Sequence, residues 1–196
     1  ICILASLAYG KHIYPEAVHT EGITKITLDD VKYASIWGGV IKLIGKVKRT
    51  ENKMCDIVVA PMFIPNNSQL ANIDDVFNGI MVRGDCTGDV VFYGKGAGKL
   101  PTASAVVADI VDCAKHLKVR KQLFWTDSDN SSVIDYKESV TAMYIRAFAD
   151  DTQLAYNKAK ELFFDIHVLE NADAKENEIA FVCEPLAYGT ILNNID

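Results

Sequence analysis

Three glycines crowd one short stretch, Gly94-Lys95-Gly96-Ala97-Gly98, between a strand-like run and a helix-like run. Glycine lets the backbone approach a ligand closely, and free N–H groups at a helix start favour anions. Two readings follow: a tight strand-to-helix turn with no ligand, or a cradle for an anionic group. Lys95 and Lys99 are either phosphate-attracting or simply solvated. A phosphate loop needs four residues between its glycines and a Ser or Thr after the GK pair. Here three residues separate Gly94 from Gly98, and Leu100 follows Lys99, so the magnesium-binding hydroxyl is missing. The GxGxG spacing also follows an apparent hairpin, which is not the parallel βαβ setting of the GxGxxG dinucleotide fingerprint.

Other reactive residue types are scattered. Glu21 and Lys25 suggest an acid/base pair, or else solvated or interface charges at strand ends. Asp74-Asp75 reads as a turn. Cys2, Cys55, Cys86, Cys113 and Cys183 lie far apart with no CxxC pair, which suits reduced thiols in a cytosolic protein. His12, His19, His116 and His167 lack metal-ligand spacing, so no metal site is expected.

The elements that must position these residues follow from periodicity and punctuation. Ile1–Tyr9 reads as the last turns of a buried helix, ended by Gly10 in the C′ position. Because it lacks a capping start, the expectation is that the sequence begins inside that helix. Gly22–Ile26 reads as a short strand. Thr27 reads as an N-cap, with Asp29 and Asp30 in the first turn of a helix reaching Trp37 and stopping at Gly38-Gly39. Val40–Lys48 and Asp56–Met62 read as a hairpin closed by Pro61 and Pro65. Ile80–Gly84 and Asp89–Tyr93 read as a second hairpin turning near Cys86–Gly88. Pro101–Leu117 reads as a helix whose stripe is Val106, Val107, Ile110, Val111 and Ala114. Residues 118–139 form a connector with one strand, Gln122–Thr126. Then come strand Thr141–Ala149, helix Thr152–Phe164, strands Ile166–Glu170 and Glu178–Glu184, and helix Leu186–Ile195. That is a ferredoxin-like βαββα order lacking its last strand. The fold class is therefore α+β: a mixed, largely antiparallel sheet with helices on one face, then the βαββα unit.

The 196 residues, 49% apolar and 23% charged, have ordinary globular composition. A chain of this length buries roughly 70% of its unfolded surface, so one or two domains with real cores are expected and disorder is excluded. Net charge is −6, and no Lys/Arg run offers a nucleic-acid surface. Residues 1–121 carry 15 basic and 12 acidic side chains, whereas residues 122–196 carry 5 and 14. Such a shift marks a boundary. No apolar run approaches the roughly 18–20 residues that span a bilayer, so no membrane partner and a cytoplasmic location are expected.

Three stretches together resemble one family. They are GITKIT…DVKYA…IKLIGKV, then FIP…QLANIDDVFNGIMVRGD, then TGDVVFYGKGAGKLPTASAVVADIV. Over about residues 1–117 the chain resembles homoserine dehydrogenase, and residues 141–196 resemble the ACT-type regulatory domain many such enzymes carry. The resemblance implies domains at 1–121 (substrate and dimerisation) and 140–196 (ACT-like), joined by a connector at 122–139. It implies NADP- or NAD-dependent interconversion of L-homoserine and L-aspartate 4-semialdehyde, in threonine, methionine and isoleucine biosynthesis, by a homodimer. The family's catalytic Lys would fall just before Ile1, so no catalytic residue is expected within the chain and the chain alone should be inactive. Gly98 is implied as a cofactor contact, with Gly94, Gly96 and Ala97 shaping the loop and Thr102 beside it. The ACT-like turn, Ala149-Asp150-Asp151-Thr152, lacks the family's Pro and Gly, so the implied amino-acid effector gives way to structural support. Asp151 or Thr152 would cap the following helix. The rival class is a stand-alone dimeric amino-acid-binding module without catalysis.

Overall fold

The computed structural model describes residues 1–119 and 124–195. They form two compact units, Ile1–Phe63 with Phe124–Asp196, and Ile64–Leu123.

The first unit opens with helix α1 (Cys2–Tyr9), ended by Gly10 at φ 72°, a left-handed cap that glycine adopts without strain. Strand β1 is His19–Thr20, not the expected Gly22–Ile26. It pairs in parallel with Val58 and Val59 of strand β3 (Cys55–Pro65), and Glu21 N donates to Val59 O at 2.7 Å. Strand β2 (Gly39–Arg49) completes the sheet in the order β1–β3–β2. Pro61 lies inside β3 rather than closing it. Its backbone faces the same side as Val59, just past the end of β1, where a missing N–H costs no ladder bond. On one face of the sheet, Ala5, Ile13, Val18, Cys55 and Ile57 make a core with α1.

Helix α2 (Leu28–Trp37) carries a full capping box: Thr27 Oγ1 accepts from Asp30 N, and Asp30 reaches back to the Thr27 backbone. The βαββα order is present: strands β6 (Val140–Thr141) and β7 (Tyr144–Phe148), helix α4 (Thr152–Phe163), and strands β8 (Ile166–Val168), β9 (Glu178–Cys183) and β10 (Leu186–Ala187). Helix α5 (Tyr188–Ile195) follows. The sheet order is β7–β9–β8, antiparallel throughout. The expected strand Thr141–Ala149 is broken at Ala142-Met143, because its first residue, Thr141, pairs together with Val140 against β10 instead. Strand β9 is buried on both faces. Ile179, Phe181 and Cys183 face a core with Phe163 and Ile191. Ala180 packs with Tyr33 and Leu169. Alternation thus serves two cores at once, which is why the segment reads as an unbroken apolar run.

A charged cluster ties α2 to this sheet. Asp30 Oδ2 accepts from Thr27 N and Oγ1 at 2.8 and 2.7 Å. Asp30 Oδ1 accepts from Tyr144 Oη at 3.0 Å and pairs with Arg146 Nε at 3.1 Å. Arg146 also reaches Glu178 at 3.5 Å and Asp29 at 3.4 Å. Burial pushes the Asp30 carboxyl up, but the Thr27 bonds, Tyr144 and Arg146 outweigh it and hold it below the usual range.

In the second unit, strands β4 (Phe77–Gly84) and β5 (Gly88–Lys95) form an antiparallel hairpin. Helix α3 (Lys99–Lys115) follows, starting two residues earlier than expected. The expected core stripe is not buried: Val106, Val107, Ile110 and Val111 are all exposed. Of the expected strand Gln122–Thr126, Gln122 and Leu123 lie outside the described residues, and Thr126 forms a single parallel bridge with Lys11.

Candidate functional site: a glycine loop on a helix start

The hairpin register determines what surrounds the glycine loop. Gly94 pairs with Asn78 and Tyr93 with Gly79, near the open end of the hairpin. Phe77 and Tyr93 stack nearly parallel at 4.8 Å, and Lys95 Nζ sits 5.8 Å from the Phe77 ring centre. These rings stiffen the base from which the chain leaves β5.

Each glycine then does a different job. Gly94 has open space where a β-carbon would stand, so bare backbone is presented there. Gly96 lies against Asn78: a β-carbon would collide with the Asn78 side-chain amide, which itself donates to Val76 O at 3.4 Å. Gly98 is the N-cap of α3 at φ 123°, ψ 156°, a conformation only glycine adopts readily. Ala97 carries the sole side chain between the last two glycines.

The helix start is left open. Gly98 provides no side-chain cap, and its carbonyl accepts from Thr102 N at 3.0 Å. The N–H groups of Lys99 and Leu100 therefore have no helical partner, and Pro101 has no N–H to satisfy. No acidic residue stands in the first turn. Thr102 is exposed one turn in. Bare backbone, two unclaimed donors and the positive helix end together favour an anionic or amide-bearing group. The structure thus gathers Gly94, Gly96, Ala97, Gly98 and Thr102 along the exposed passage from the end of β5 into the first turn of α3. Asn78 escaped the sequence reading, although pairing the two strand runs in register places it opposite Gly94.

Glu21 and Lys25 do not form an isolated acid/base pair. Glu21 Oε1 takes His19 Nε2 at 2.6 Å and Tyr188 Oη at 3.1 Å. The His19 bond leads in holding this carboxyl below its usual range, against burial. All five cysteines are free thiols, and burial pushes Cys55 and Cys183 up. No helix among the described residues is long and apolar enough to cross a membrane.

Known proteins match much of this chain in sequence and nearly all of it in structure. The homoserine dehydrogenase family model matches residues 1–111. A homoserine dehydrogenase of Pseudomonas aeruginosa is 37% identical over 158 residues, 77% of this chain and 36% of that protein. One from Neisseria gonorrhoeae is 45% identical over 115 residues, 59% of this chain and 26% of its own length. The crystal structure of a homoserine dehydrogenase from Thiobacillus denitrificans superposes with a TM-score of 0.82 at 30% identity, covering 99% of this chain and 47% of that one. The chain thus spans less than half the length of each of these proteins.

Proposed function

The chain belongs to the homoserine dehydrogenase family, and from that premise we propose that it forms part of an NAD(P)-dependent oxidoreductase interconverting L-homoserine and L-aspartate 4-semialdehyde. Its own contribution is the loop Gly94–Gly98 with Thr102, which meets the dinucleotide. The observation that carries this reading is the open start of α3: Gly98 as a cap without a side chain, bare backbone at Gly94, and unclaimed N–H groups at Lys99 and Leu100. These features fit a dinucleotide, whose phosphates and carboxamide accept hydrogen bonds from such donors. When bound, the nicotinamide gives or takes a hydride at the substrate's C4. Gly94 and Gly98 let it approach the backbone, Asn78 braces Gly96 from below, and Lys95 and Lys99 add positive charge beside the helix end.

We propose the remaining organisation as follows. Residues 1–121 are the substrate and dimerisation domain, 122–139 the connector, and 140–196 an ACT-like domain. The order β7–α4–β8–β9–α5 supports the last of these. The effector turn is engaged otherwise: Asp151 Oδ1 accepts from Leu154 N at 2.9 Å to cap α4, so the domain acts as a structural support. A homodimer is part of the proposal; the exposed Val82, Val90 and Phe92 of the hairpin support it. Biosynthesis of threonine, methionine and isoleucine in the cytoplasm follows from the same reading.

The test joins the chain to the upstream sequence of its parent gene. NAD(P)-dependent oxidation of homoserine is expected from the joined protein and none from residues 1–196 alone. Turnover by the isolated chain, or none by the joined protein, overturns the reading.

A further inference from the structure

A cleft of about 470 Å³ in the first unit lies between the sheet β1–β3–β2 and the segments from Tyr136 to Tyr144 and around Tyr188. Its volume falls in the range of small-molecule pockets, roughly 300–1,000 Å³. Most of the wall is apolar, including Trp37, Ile41, Met62, Phe63 and Met143. Its polar groups include a compact cluster. The His19 and Tyr136 rings stack at 4.2 Å and 9°, and Tyr188 meets both at 5.6 and 5.4 Å. Glu21 stands at the edge of these rings. His19 and Tyr188 both bond its Oε1, while Oε2 takes no hydrogen bond among the described residues. The Glu21 side chain is 49% exposed, so the carboxylate is reached by solvent.

A carboxylate with one free oxygen, beside three aromatic rings and an apolar wall, is the chemistry that recognises an organic cation. The carboxylate accepts from an ammonium N–H, and the wall takes a hydrocarbon body. We propose that this cleft binds a small organic cation, a primary ammonium group on an apolar body, with Glu21 Oε2 as its anchor. The other charged side chain in the wall is Lys46, which sets the opposing preference the test must resolve.

The probes are 2-phenylethylammonium, 2-phenylethanol and 3-phenylpropanoate, which present one aromatic body with a cationic, neutral or anionic head. Binding to the full chain is followed by NMR through the Trp37 indole N–H and the Met62 and Met143 methyl groups. The expected result is saturable binding of the cation, about tenfold tighter than the alcohol and tighter still than the anion. Glu21→Gln should remove that preference while the chain still unfolds cooperatively. No saturation by roughly 20 mM overturns the proposal, as does equal affinity for all three heads. Preference for the anion assigns the cleft to Lys46 and overturns it too. A cleft whose resonances shift on dilution, with no response to probes, is covered by self-association and also refutes it.

Discussion

Replacing Asp30 by Ala should cost far more stability than replacing its neighbour Asp29. The reason is the number of groups left without a partner. The Asp30 half of the capping box goes, leaving Thr27 N and Oγ1 without their carboxylate acceptor, worth about 1 kcal/mol. Tyr144 Oη, half-buried beside Tyr33 and Phe63, loses its acceptor, which costs about 1–3 kcal/mol. Arg146 keeps Glu178 and Asp29 at 3.5 and 3.4 Å, so it is weakened rather than orphaned. Its share stays below the roughly 3–5 kcal/mol of an uncompensated buried charge. The sum is about 3–4 kcal/mol, or about 10 °C in Tm for a chain of this size. Asp29→Ala is the control: Asp29 is half exposed and holds Arg146 and Lys32 only at 3.4 and 4.0 Å, so about 0–1 kcal/mol is expected. Urea unfolding followed by circular dichroism measures both. The acid limb adds a sign. The folded Asp30 carboxyl is depressed, so its contribution is complete above the unfolded value near 3.9 and fades as pH falls through the lower folded value. The gap between wild type and Asp30→Ala should therefore close below about pH 4. Equal losses for Asp29→Ala and Asp30→Ala would refute the argument. So would a coupling below about 0.5 kcal/mol in a cycle with Arg146→Met.

Gly98→Val in the joined enzyme should raise KM for the dinucleotide about tenfold or more by forcing a β-branched residue to φ 123°; unchanged steady-state constants would remove Gly98 from the contact. Gly96→Ala should destabilise the second unit by about 1 kcal/mol or more, and Asn78→Gly should restore part of that loss by clearing the collision. Burial, then Glu21, pushes the Tyr188 phenol up to about 12. Its stabilising share is whole below pH 10 and lost as pH rises through 12, and Tyr188→Phe should delete one late step in the ultraviolet titration of the tyrosines. Cys86 and Cys113, both exposed, should react with a thiol reagent in the native state, while buried Cys55 and Cys183 should react only on unfolding.

Local chemistry was legible where a few adjacent residues settle it. Thr27 with Asp29 and Asp30 announced the cap of α2, and Gly10 and Gly38 announced helix ends at φ 72° and 95°. The glycine loop was legible as a strand-to-helix turn, because three glycines directly before a helix mark one. What failed depends on partners distant in sequence. Strand β1 falls at His19–Thr20 rather than Gly22–Ile26, because Val58 and Val59 offer the ladder there. Thr141 leaves the expected strand because, with Val140, it pairs with Leu186 and Ala187. Asn78 braces Gly96 only through the register of a hairpin, and register is a property of two strands.

Helix α3 separates two kinds of information that periodicity carries. Val106, Val107, Ile110 and Val111 recur at helical spacing, and the helix forms. The same spacing promised a buried stripe, and all four side chains are exposed. Amphipathic spacing reports that a helix presents one apolar face; it does not report what covers it. β9 makes the converse point. Its run EIAFVC carries no alternation, yet it is the most completely buried strand, because Phe181 and Ala180 each find a core on opposite faces. Polarity pattern therefore predicted the conformation of α3 and missed its burial, while for β9 its absence accompanied burial on both sides. Hydrophobic periodicity is thus best read as a statement about local geometry. Burial has to be read from the partners that topology brings to each face.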